Sequence, residues 1–136
     1  MASIGPNNAA TFADDGTVGD VALGTPSNAQ TSNDSYCTAV LLGGQASHYL
    51  KATNFSLNIP IHSKIDGIVV EIEKSSTLLD SITDNAVRIV LPSGVIGSTN
   101  KASGSNWSTT DAYTTYGSST DTWGETLKPI DVNDIN

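Results

Sequence analysis

The side chains that could do bond chemistry are few and scattered. Nucleophilic hydrolysis needs a base held against a nucleophile and oriented by an acid, and the only imidazoles are His48 and His62. His48 follows a Gly-Gly turn and His62 follows Pro60, so both read as surface or strand-edge residues, and no G-x-S-x-G motif accompanies them. A zinc site needs several His or Cys at ligand spacing. His48, His62 and the single Cys37 make no such set, and Cys37 reads as a small buried apolar residue. Glycoside hydrolysis needs two carboxylates with different surroundings. The chain carries 14 acidic residues, but no pair is set apart by an apolar neighbourhood. The reading is therefore of a protein without enzymatic activity and without a cofactor. A degraded hydrolase would have to show an acid pair in a cleft, which a sequence cannot display.

Two weaker signals point to binding rather than catalysis. In "FADDGTVGD", Asp14, Asp15 and Asp20 surround Gly16 and Gly19, and hard cations favour carboxylates in glycine-bearing loops. The spacing does not fit an EF-hand, so a solvated Asp-Gly turn is the expected outcome and calcium the weaker one. The polar stretch "NWSTTDAYTTYGSSTDTWGE" carries Trp107, Tyr113, Tyr116 and Trp123. Such rings either stack on sugar faces or pack on the end of the core, or between subunits, with their polar tips wet. N-x-S/T sequons at Asn33, Asn54 and Asn106 read as chance in a chain so rich in these residues.

These residues must be positioned by short elements. The chain of 136 residues is the size of one ordinary domain. Its net charge of -8, with six basic residues placed singly, excludes the clustered basic surface that nucleic acid requires. No apolar run is long enough for a bilayer-spanning helix, and no signal-peptide pattern is present at the start. Only 15% of residues are charged, while Ser, Thr, Asn and Gly abound, a composition suited to turns and to assembly contacts that desolvate few charges.

Residues 1–35 lack periodicity and read as an extended N-terminal arm with turns. It is anchored by few apolar residues, and Ile4, Pro6 and Phe12 are the candidates for assembly contacts. Residues 36–136 read as a β-sandwich domain. Phe55, Leu57 and Ile59 alternate with polar residues as in a half-buried strand. "GIVVEIEK" is the clearest strand, with Ile68, Val70 and Ile72 on one face and Val69, Glu71 and Glu73 on the other. "NAVRIVL" repeats the pattern, and antiparallel pairing of the two would bring Arg88 near Glu71 or Glu73. "LPSGVIGS" reads as a tight turn into a returning strand, the aromatic stretch as a long loop with one or two short strands, and a capped helical turn is expected near Asp131. The fold class is all-β: an antiparallel two-sheet sandwich, jelly-roll-like.

The motifs "GPNNAATFADDGTVGDVA", "PSNAQTSNDSY", "SHYLKATNF", "IPIHSKIDGIVVEIEK", "DNAVRIV", "NKASGSNW", "YTTYGSSTDTWGETLKP" and "DVNDIN", in that order, resemble a group of tailed-bacteriophage proteins. The resemblance covers nearly the whole chain from Gly5. It implies a virion-associated β-sandwich serving as capsid decoration, fibre or tail adaptor, with no catalytic residues. Its partners would be other copies of itself and other virion proteins. The sequences it resembles usually run on past "DVNDIN" into a further apolar strand. The expectation that follows is a sheet edge closed by strand addition from a neighbouring subunit, against the simpler outcome that the existing strands already close the core. The alternative is a tail-fibre carbohydrate-binding module that uses the aromatic stretch to hold a host surface glycan.

Overall fold

The computed structural model describes residues 2–133 and divides into two compact units, one built on residues 2–58 and the other on Ile59–Val132. The boundary expected at residue 35 falls inside the first unit. Regular structure is nearly all strand: β1 (Thr11–Asp15), β2 (Tyr49–Thr53), β3 (Val69–Lys74) and β4 (Ala112–Gly117), with a 3₁₀ turn at Pro26–Gln30 and one short helix, α1 (Pro129–Asn133). The strands form two antiparallel sheets of two strands each, β1 with β2 and β3 with β4. The all-β class expected from the sequence is observed.

In the first unit β1 pairs with β2 from Thr11↔Thr53 to Asp15↔Tyr49. The segment read as an arm is thereby woven into its own unit. Phe12, half-buried, sits opposite Ala52, whereas Ile4 and Pro6 stay exposed. Side-chain amides do much of the stitching. Asn7 donates to the Phe55 and Ser56 carbonyls at 2.9 and 3.2 Å, Asn28 to the Tyr36 carbonyl at 3.1 Å, and Asn54 to Thr11 Oγ1 at 2.7 Å. Irregular backbone must find partners somewhere, and the abundance of Asn supplies them here.

The expected strand through Phe55, Leu57 and Ile59 does not form. Asn54, Ser56 and Asn58 adopt φ of 64°, 51° and 54°, a left-handed conformation incompatible with a pleated ladder. Asn tolerates that region because its short amide can bond locally, as Asn58 does by donating to the Ser56 carbonyl at 2.9 Å. The period of two was real, but it alternated backbone conformations rather than faces.

The second unit contains the strand best marked in the sequence. Along β3, Val70, Ile72 and Lys74 are the more buried residues, while Val69, Glu71 and Glu73 are exposed. Its partner differs from the expected one: β3 runs antiparallel to β4, from Val69↔Gly117 to Lys74↔Ala112. The 87–91 segment instead folds back on residues 95–97. Gly94 donates to the Leu91 carbonyl and Leu91 to the Val95 carbonyl, both at 2.8 Å, so the "LPSG" turn and return are observed. Arg88 therefore does not pair with Glu71 or Glu73; its guanidinium donates to the carbonyls of Gly97 and Ser98. The helical turn expected near Asp131 is α1, with Pro129 at its start and Asp131 accepting from the Lys128 amide at 2.8 Å. The last three residues of "DVNDIN" lie outside the described residues.

Trp123 is the largest fully buried side chain, at 1% exposure. Its indole Nε1 donates to the Ile68 carbonyl at 3.0 Å, and its amide donates to Asp121 Oδ1 at 2.8 Å. Gly117 lets the ring approach: at φ 75° it has no side chain where a Cβ would lie 2.3 Å from Ile68 O and 2.6 Å from Trp123 Nε1.

Candidate functional site

The strongest concentration of chemistry lies in the second unit, around Asp84. The alternation of β3 that turns Val70 and Ile72 inward also turns Lys74 inward, and β4 brings Tyr116, 4% exposed, to the same face. Asp84 reaches them from the connection after β3. The Lys74 ammonium meets Asp84 Oδ1 at 2.5 Å, with side-chain exposures of only 9% and 3%.

Every remaining lone-pair direction on the carboxylate is used. Trp107 Nε1 donates to Oδ1 at 2.8 Å, Tyr116 OH donates to Oδ2 at 2.7 Å, and the Ser103 amide donates to Oδ2 at 2.9 Å. Lys74 Nζ also donates to Tyr116 OH. The ammonium stands 5.0 Å from the Trp107 ring centroid and 5.2 Å from that of Tyr116, within reach of both ring quadrupoles. Burial pushes the Asp84 carboxyl up, but hydrogen bonds from Lys74, the Ser103 amide, Tyr116 and Trp107 together hold it below the ordinary carboxylate value. Burial, then the bond to Asp84 and its charge, push the Tyr116 phenol well above its usual range. A buried ion pair is tolerable only when its leftover donors and acceptors are met, and here four donors fill the carboxylate while the ammonium has two oxygen acceptors and two ring faces.

Beside this cluster a cavity of about 280 Å³ is lined by Lys74, Ser103, Asn106, Trp107, Ser108 and Thr114, among others. Lys74 forms part of its wall. Its hydroxyl and amide lining is partly engaged within the chain: Asn106 donates to Asp80 at 3.0 Å, and Ser108 bonds Thr110 at 3.0 Å.

The first unit holds a second, more open pair. His48 Nδ1 donates to Asp14 Oδ2 at 2.8 Å, with side chains 20% and 28% exposed. Asp14 also accepts from the Leu23 amide at 2.8 Å, and the His48 bond followed by this one holds its carboxyl below the usual value. Gly16 makes room, since a Cβ there would lie 3.0 Å from His48 Cε1. Cys37, half-buried, has its thiol pushed up by burial and then by Asp14, the opposite of an activated nucleophile.

The structure sorts the residues singled out in the sequence. The calcium candidates do not converge: Asp14 is spent on His48 and Leu23, Asp15 accepts from the Thr17 amide, and Asp20 accepts from the Ala46 amide. Among the described residues no group of three His, Cys, Asp or Glu is placed to hold a metal. The four rings do not form one row. Tyr116 and Trp123 are buried, Trp107 is half-buried, and Tyr113 is exposed at 62%.

Sequence reasoning missed Lys74 and Asp84. The signal for Lys74 was present, because it continues the inward register of Val70 and Ile72. Asp84 sits in "TDNA", which reads as an ordinary turn. No described helix is long and apolar enough to cross a membrane. Comparison of the chain with family models, with curated proteins and with solved structures finds no match.

Proposed function

We propose that this chain is a non-enzymatic structural protein of a tailed-phage virion, a capsid decoration, fibre or tail component. In this reading the fold is of the jelly-roll-like sandwich class, and its partners are other copies of itself and other virion proteins. The observation that carries the proposal is exposed apolar surface on the loops, beside sheets of only two strands. Val40 and Leu42 in the first unit are 85% and 72% exposed, and Ile61 and Leu79 in the second are 75% and 73% exposed. Among the described residues, each of the four strands has one partner strand.

Single exposed apolar residues are common, but so many beside so few buried ones mean that burial within the chain is incomplete. Open strand edges accept further strands, and repeated weak contacts of this kind suit a symmetric particle. The satisfied Asp84 cluster fits a scaffold rather than a catalyst, since each of its polar atoms is already engaged. Mass spectrometry of separated heads and tails from purified particles tests the proposal. The chain is expected in one of the two fractions at many copies, and its absence from both would overturn the reading.

The carbohydrate-binding alternative keeps one supporting observation, the groove beside Trp107 with its Ser, Thr and Asn lining. It predicts loss of cell or glycan binding when Trp107 is replaced by Ala in a protein that remains folded. The burial of Tyr116 and Trp123 removes two of the four rings it would use.

A further inference from the structure

We propose that Lys74 and Asp84 condense to an intramolecular amide, a covalent staple joining β3 to the connection that follows it. The inference is independent of the virion reading and rests on the geometry of the cluster. Amine and carboxyl are in direct contact at 2.5 Å in a nearly water-free setting. Groups held this way react with effective molarities of about 10⁵–10⁸ M because no translational freedom is lost. Converting a buried ion pair to a neutral amide also relieves the desolvation that the two charges suffer.

The surrounding groups are placed for each step. Tyr116 OH accepts from Lys74 Nζ and donates to Asp84 Oδ2, so it can relay one proton from the ammonium to that oxygen. The freed amine lone pair then forms a bond to Cγ, and charge develops on Oδ1. Trp107 Nε1 already donates to Oδ1 at 2.8 Å, where a donor stabilises a tetrahedral oxyanion. A second proton passes from the nitrogen to Oδ2, the C–Oδ2 bond breaks, and water departs. The Ser103 amide supports that leaving oxygen at 2.9 Å. In sum an ammonium and a carboxylate give an amide and one water, with no change of oxidation state. The adjoining cavity, lined by Lys74 and Ser103, is the exit for the water.

The test is the mass of the purified full chain. The expected result is an intact mass lower by one water. After trypsin, a single peptide spanning residues 65–88 should appear, uncut after Lys74 and lacking one water. The Tyr116→Phe variant keeps the ring but loses the relay, and should accumulate the linked species roughly 10²-fold more slowly. Lys74→Met should show the full mass of its sequence. Wild-type protein with the unaltered mass and normal cleavage after Lys74 would overturn the proposal. So would a water loss confined to peptide 75–88, which would mark a cyclised Asp instead.

Discussion

Two ion pairs, Lys74–Asp84 in the second unit and His48–Asp14 in the first, are built on different terms. Asp84 and Lys74 are enclosed, at 3% and 9% exposure, with indole, phenol and backbone donors completing the carboxylate. Asp14 and His48 are partly open, at 28% and 20%, with one backbone amide in support. In the first case the unit folds around the charges, so removing one partner leaves the other stranded in a poorly solvated place. In the second, water can replace whichever partner is lost. Contact distance says little about what such a pair contributes; the burial around it decides.

The largest expected break in that comparison is Asp84→Ala. It leaves the Lys74 ammonium, the Trp107 indole and the Tyr116 hydroxyl short of an acceptor and should cost about 3–5 kcal/mol. Urea unfolding followed by tryptophan fluorescence reads this cleanly, because Trp107 and Trp123 both lie in the second unit. A loss no larger than that of an exposed pair would mean the cluster is open in solution. Next is Gly117→Ala, which combines a positive φ with overlap on Ile68 O and the Trp123 ring. Strain and overpacking together should cost about 2–4 kcal/mol, with a red-shifted Trp emission as the ring loses its seat.

Acid should expose the same asymmetry. Asp14, Asp15 and Asp121, and Asp84 wherever it is not joined to Lys74, have carboxyls held below the ordinary value of 3.8 in the folded chain. An unfolded chain then binds more protons in this range. The stabilisation is fully present above the ordinary value and is lost as pH falls through the folded ones. Denaturant midpoints should therefore drop as pH falls below 3.8, and the Asp84→Ala protein should show a shallower drop by fluorescence than unlinked wild-type protein does. A midpoint independent of pH in that window would contradict the assignment.

His48→Ala should lower the melting temperature less than Asp84→Ala does, since the pair it breaks is half-solvated. Smallest of all, Tyr113→Ala on the exposed face of β4 should change stability by no more than about 0.5 kcal/mol. That makes Tyr113 the clean position at which to separate a binding role from a folding role.

Local patterns were legible where local forces decide. The alternation in "IVVEIEK" specified β3 and its faces, "LPSG" specified a tight reversal, and Asp131 marked a helical turn. Alternation at Phe55, Leu57 and Ile59 misled because Asn and Ser at the intervening positions can hold left-handed backbone, so one pattern had two conformational solutions. β4 was only half visible, since its Ser- and Thr-rich surroundings look like loop until a partner strand fixes them.

By itself, then, the sequence determined the all-β character, the faces of β3 and the turn chemistry, because hydrophobic period and backbone preference act over a few residues. Only the tertiary structure decided that β3 pairs with β4 rather than with the 87–91 segment, and that an aspartate in an unremarkable turn becomes the centre of the second unit. The physical reason is that strand pairing and charge burial depend on contacts between segments far apart in the chain. Lys74 and Tyr116 are separated by 42 positions, and no local pattern encodes their meeting on Asp84.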